Sequence, residues 1–174
     1  SEMCIRDSLN NLKAQVKHVY DRTKWLTKFW HPCIQNTFNE IDKHIEPDFE
    51  YVEWGSGNAD IYIWLVDDLG PLKAHGVGLF HGLKSHGRVE AIIDVTNSKG
   101  RNFNDFLITH EIGHAFWLSH PGVNVDDYPR SNLYNTKDTI MSYNADENGV
   151  YGTTFTDLDI KALQSIWGAE GSYG

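Results

Sequence analysis

The feature that most constrains this chain is the run His110-Glu111-Ile112-Gly113-His114-Ala115-Phe116-Trp117-Leu118-Ser119-His120. On a helix, residues four apart sit one turn above each other, so His110 and His114 share a face about 6 Å apart along the axis. Two imidazoles placed that way can converge on one ion. Glu111 is rotated about 100° from His110, which sets its carboxylate beside such an ion rather than on it. The helix has to stop before His120, because Pro121 biases its predecessor out of the helical region and Ser119 and Gly122 are poor helix residues. A third imidazole therefore arrives from a different direction. Three neutral imidazoles suit a tetrahedral zinc site with one open corner, where a water ionises near neutral pH. A lone histidine is usually a solvated or hydrogen-bonded core residue, but three at these spacings beside a glutamate are poorly explained that way.

The residues around the run ask for a buried helix. Phe103, Phe106, Leu107, Ile108, Ile112, Ala115 and Phe116 make it apolar nearly all round except at the ligand positions, so its metal would sit at the floor of a cleft. Asn102 or Asn104 is placed to cap its start. Upstream, apolar residues from Leu9 to Tyr20 follow helical spacing, and Lys24 to Trp30 alternates loosely as a first strand would. Pro32 stands where a first helical position would be, and Ile34, Phe38, Ile41 and Ile45 recur at helical steps until Pro47. Phe49 to Trp54 and Ala59 to Val66 read as strands across the Gly55-Ser56-Gly57-Asn58 turn, the second apolar enough for a buried sheet position. A loop holding His75, His81 and His86 follows, and Val89 to Val95 is a short strand. Residues 121 to 138 read as loop. Thr156 with Asp159 resembles a capping box for a last helix whose Ile160, Leu163, Gln164 and Trp167 share a face, ended by Gly168. The tail from Ala169 is expected to fray.

Taken together, HEIGHAFWLSHPG resembles the metzincin metalloprotease signature HExxHxxGxxH and is most similar to its serralysin branch, with the matrixins second. Ile140-Met141-Ser142-Tyr143 resembles the Met-turn of that class. Asp159 to Gly168 resembles the helix that closes serralysin and matrixin catalytic domains. The resemblance is specific from 102 to 168 and general before that. It implies an α+β fold, a metzincin-like catalytic domain with a mixed, mostly parallel twisted sheet, an active-site helix and a C-terminal helix. It implies zinc on His110, His114 and His120, Glu111 as general base, Met141 packed beneath the metal, and Tyr143 as a further ligand or oxyanion partner. It places Val89 to Val95 as the antiparallel edge strand above the cleft, where extended peptide would add by backbone hydrogen bonds. Matrixins hold a structural zinc near the region of His75, His81 and His86, but the flanking pattern is missing here, and solvated loop histidines are the simpler reading. One residue departs from the signature: Trp117 stands at the family's glycine. A bulky side chain in a left-handed turn is strained, so either the turn is built differently or strain is stored there.

Composition narrows the partners. The chain has 174 residues, 40% hydrophobic and 13% aromatic, enough for one core and with no long apolar run to span a bilayer. Residues 9–174 are expected to form one domain, and residues 1–8 carry no assignment because they look unpatterned and foreign. A net charge of -9 argues against nucleic acid, which needs clustered lysine and arginine. Asp67-Asp68 and Asp126-Asp127 are of a kind that can hold calcium, though such pairs are more often solvated surface. Cys4 and Cys33 permit one bridge without implying it, so the redox compartment stays open.

The expected function is therefore a zinc endopeptidase acting on extended polypeptide, monomeric and, by resemblance alone, secreted. No charged n-region and apolar h-region opens the chain, so a secretory signal is expected to be absent or already removed, and the glycine-rich calcium-binding repeats usual in serralysins do not follow Gly168, which fits an excised catalytic domain or a compact relative. The rival, prompted by Trp117, is a metzincin-like fold that binds zinc or protein without turnover. An iron oxygenase is disfavoured because its facial triad wants two histidines and a carboxylate as ligands.

Overall fold

The computed structural model describes residues 23–50, 61–66, 76–81, 88–96, 99–121 and 133–171. Their order is helix α1 (Thr23–Asp42), strands β1 (Ile61–Val66), β2 (Gly76–His81) and β3 (Arg88–Asp94), helix α2 (Arg101–Ala115) and helix α3 (Asp157–Trp167). This is an α+β arrangement. The strands form one mixed sheet in the order β1-β3-β2, with β1 parallel to β3 and β2 antiparallel to it. Ala91 sits at the centre, paired with Ile63 on one side and Gly78 on the other.

The strand expected at the edge is thus the central one. Ala91, Ile92 and Ile93 are all buried, successive residues pointing to opposite faces, which only a strand covered on both sides allows. Among the described residues the outer positions belong to β1 and to β2, the latter in the segment expected to be a loop. Its sequence, GVGLFH, carries two glycines that weaken any strand signal. His81 ends β2, whereas His75 and His86, the two aspartate pairs and Cys4 lie outside the described residues. So do the expected helix at 9–20 and most of the strand expected at 49–54.

Helix α1 also overrides its expectation. Residues 24–30 are helical, and Pro32 lies inside the helix rather than at its start. The spacing that explains this is Trp25, Phe29, Cys33 and Leu26, Trp30, Ile34, two rows at steps of four that continue into Phe38 and Ile41. Proline removes one backbone donor and disfavours, without forbidding, a helical residue before it. Cys33 on this helix is half-buried, and burial, reinforced by Asp105, pushes its thiol up to about 12.

One core joins these layers. Ile41 and Ile45 from the end of α1, Leu65 and Ile93 from the sheet, and Phe106, Ile108 and Ile112 from α2 are buried together with Ile140, Met141 and Leu163. Each such side chain contributes roughly 1.5–3 kcal/mol by leaving water. Phe38, Phe49 and Phe116 pack edge-on at 5.2–5.8 Å between ring centroids, closing the core at the C-terminal end of α2. The chain beyond α3 does not fray at once: Ala169 bridges to Ile45, and Glu170 N donates to His44 O. Among the described residues no helix is long and apolar enough to cross a membrane.

Candidate metal centre

Helix α2 is buried along nearly its whole length, as its apolar composition requires. Neither expected asparagine caps it. The N-cap is Gly100 at φ 87°, without a side-chain bond. Asn104 instead donates Nδ2–H to Val95 O, tying the helix to the chain leaving β3, and Asn102 exchanges two bonds with the Tyr151 backbone. These bonds fix how far α2 projects beneath the sheet.

At the other end the helix closes with Leu118 N bonded to Gly113 O and Trp117 N to His114 O, the paired bonds of a Schellman turn. The residue that must be left-handed in such a turn is Trp117, and its φ is 71°. The turn is therefore built as a glycine would build it, with a strain of about 1–2 kcal/mol for a side chain in that region. Its side chain is 47% exposed, and the turn still delivers His120 to the other two histidines.

His110, His114 and His120 offer ligand atoms that lie within 4.8 Å of one another. The Nε2 atoms of His114 and His120 are 3.1 Å apart. Two nitrogens about 2.1 Å from a tetrahedral zinc stand about 3.4 Å from each other. A hydrogen shared between the rings or a common cation explains such an approach. His110 supports the second, because its Nε2 is buried with no hydrogen-bond partner among the described residues. A buried acceptor without a partner loses about 1–3 kcal/mol, which a bound cation would restore. Its other nitrogen, Nδ1, lies 2.9 Å from Ile140 O, and His114 Nδ1 lies 2.8 Å from Leu118 O. Since a carbonyl only accepts, both Nδ1 atoms carry the proton and both Nε2 lone pairs face the shared point. Burial, followed by the neighbouring His114, holds His110 well below the usual imidazole range, so it stays neutral as a ligand must. The donor set and tautomers fit zinc.

Glu111 lies beside this cluster and is 4% exposed. Burial pushes its carboxyl up to about 8. The backbone of Gly76 in β2 lies flat against that carboxylate, and any side chain at 76 would collide with it. A second close approach lies below the helix. A Cβ at Gly113 would stand 2.7 Å from Met141 Sδ, so the methionine packs directly against the helix between the two histidines. The Tyr143 ring sits 4.8 Å from the His120 ring and 5.2 Å from that of His110, half out in solvent.

Every expected site residue is thus in one neighbourhood: His110, His114 and His120 around a point, Glu111 on the β2 side, Met141 beneath and Tyr143 alongside. The contributors missed in the sequence are Gly76, Gly113 and the Ile140 and Leu118 carbonyls. Gly113 is visible within the motif as the only residue between the histidines without a side chain. Backbone carbonyls leave no sequence signal at all.

No protein-family model matches the chain. It is 34% identical over 108 residues to a serralysin of Photorhabdus laumondii, a stretch covering 53% of this chain and 22% of that protein. The chain therefore spans less than a quarter of that relative's length. This similarity and the three-histidine cluster together fit a metzincin without singling out one kind of member.

Proposed function

We propose that this chain is the catalytic unit of a zinc-dependent endopeptidase that hydrolyses peptide bonds in extended polypeptide. The observation that carries the reading is the bare, buried Nε2 of His110 facing two further imidazoles, with Glu111 next after His110 in the same helix. His110, His114 and His120 would hold the metal, which when bound supplies Lewis acidity to the scissile carbonyl and lowers the pKa of the attacking water. Glu111 takes that water's proton and returns it to the leaving amine. A carboxyl raised to about 8 by burial suits a group that must both accept and give up a proton near neutrality. Tyr143, its ring tilted against His110 and edge-on to His120, would donate its phenolic hydrogen to the carbonyl oxygen as charge develops there. Secretion would follow from the likeness to serralysin.

Glu111→Gln tests the mechanism. It should keep one zinc per chain and slow hydrolysis of a denatured protein by about 10²–10⁴-fold, the range for general acid-base catalysis. A variant as active as the parent overturns the assigned role. Wild-type protein that holds zinc tightly but cleaves no denatured protein or peptide library would overturn the enzyme reading in favour of a binding module.

A further inference from the structure

The bonds behind His110 do not end at the Ile140 carbonyl. That carbonyl shares its peptide unit with Met141 N–H, which donates to Thr139 Oγ1 at 3.1 Å. Thr139 Oγ1–H in turn donates to Asp159 Oδ1 at 2.5 Å. The carboxylate is 2% exposed, and its other oxygen accepts from Ile140 N and Thr156 N, both at 2.9 Å. From the imidazole outward, every link donates in the same direction: Nδ1–H to carbonyl, amide N–H to hydroxyl, hydroxyl to carboxylate.

We propose that Thr139 and Asp159 are positioning residues for the metal ligand His110, acting through the Ile140–Met141 peptide as a carboxylate-to-imidazole relay. The inference rests on the zinc reading above for its purpose, though the relay itself is a property of the metal-free fold. Metal-binding histidines usually donate their second nitrogen to a carboxylate or a carbonyl, which fixes the tautomer and raises the basicity of the ligating atom. Here a carbonyl makes the contact and a buried negative charge stands two hydrogen bonds behind it. Hydrogen bonds aligned head to tail polarise one another, so the charge strengthens the carbonyl as an acceptor. The same carboxylate caps α3 through Thr156, with both bonds of the capping box formed. One residue thus couples the start of the last helix to the metal centre.

The double role supplies the control. Thr139→Val removes the hydroxyl and leaves the Asp159 bonds to Ile140 N and Thr156 in place, while Thr139→Ser retains the link. Thr156→Ala weakens the cap of α3 and removes a hydroxyl bond to Asp159 Oδ2, but leaves the Thr139 bond to Asp159 Oδ1 in place. In competition with a chelator, zinc affinity should fall about 10-fold in Thr139→Val, toward the lower end of effects seen for groups behind a metal ligand. It should return in Thr139→Ser and stay at the parent value in Thr156→Ala. Equal affinity for Thr139→Val and wild type, or an equal fall in Thr156→Ala, overturns the relay. Nitrogen-15 NMR of His110 in metal-free protein separates this outcome from failure of the zinc reading. If the wild type takes no zinc, a shift of the His110 Nδ1–H resonance toward a weaker hydrogen bond in Thr139→Val, restored in Thr139→Ser, still supports the relay, and an unchanged resonance ends it.

Discussion

His110 and His114 are held in the same way, each by a backbone carbonyl on Nδ1, yet the two carbonyls are supported in opposite ways. Ile140 O sits in a buried polar web that ends on the Asp159 carboxylate, with the backbone relaxed and Ile140 and Met141 deep in the core. Leu118 O is carried by a turn whose pivot, Trp117, is left-handed and half-exposed. One brace rests on hydrogen bonds that water cannot reach, and the other on a strained backbone stabilised by what surrounds it. The difference shows that one ligand geometry can be reached through tertiary bonding or through local conformation, and that mutation will expose the two differently.

The two regions meet at Gly113, which accepts the Schellman bond from Leu118 N and faces Met141 Sδ. Gly113→Ala should give the largest effect on the comparison. The new methyl would lie 2.7 Å from the sulfur and 3.3 Å from Phe155 Cε1, so the Met141 turn must move outward. Overpacking of this kind costs about 1–3 kcal/mol, reduced by the roughly 1 kcal/mol that alanine gains over glycine in a helix. Urea unfolding of the metal-free protein should show a net loss, and adding Met141→Ala should relieve part of it. A Gly113→Ala protein as stable as its parent would mean that the two braces are not in contact through this glycine.

Trp117→Gly separates the braces with a smaller change of opposite sign. Glycine adopts the left-handed region without penalty, so the variant should gain about 1 kcal/mol from released strain, offset by whatever the buried half of the indole contributes. Zinc affinity should stay unchanged, since His114 Nδ1 bonds to a carbonyl that keeps its place. A lower unfolding midpoint would show that indole contacts outweigh the strain, and a weaker zinc site would show that the brace itself needs the tryptophan.

The same contrast sets how much was legible in the sequence. The helix with its three histidines and the capping box at Thr156 are local patterns, written in spacings of three, four and six, and the structure carries both where the spacing puts them, whereas the Met141 turn was legible only through the resemblance. What escaped is tertiary. Asp159 announced itself as a helix cap but not as the anchor of a segment 20 residues earlier, because a carboxylate has two oxygens and a sequence reveals a use for only one. β2 escaped because its glycines, which weaken a strand signal, include the one that makes room for Glu111. α1 escaped through Pro32, a strong local signal overruled by two rows of apolar residues on either side of it. Trp117 was legible as a departure, though its outcome depended on whether the Schellman bonds could hold a bulky residue in place.

The smallest effect lies in the exposed loop that follows the Met141 turn. Thr136 N bonds to Asn144 O, Ser142 Oγ to Tyr134 O, and the next loop is closed by Asp146, which accepts from Val150 N and Asn148 N and pairs with Lys137 at 3.0 Å. These bonds, led by the Val150 amide and the Lys137 contact, lower the Asp146 carboxyl to about 2. A carboxylate whose folded pKa is depressed adds stability that is complete above its unfolded pKa of about 3.9 and fades as pH falls through the folded value. Asp146→Asn should therefore be less stable than wild type at pH 5 by a modest margin, and the margin should close between about pH 4 and 2. The Leu118 brace, built on backbone bonds to Gly113 O and His114 O, should show no matching change in the Trp117→Gly difference over that range. Urea unfolding of the three proteins at pH 5, 3 and 2 reads both. A margin for Asp146→Asn that persists at pH 2 would assign its effect to shape rather than charge, and the electrostatic half of the contrast between the braces would fall with it.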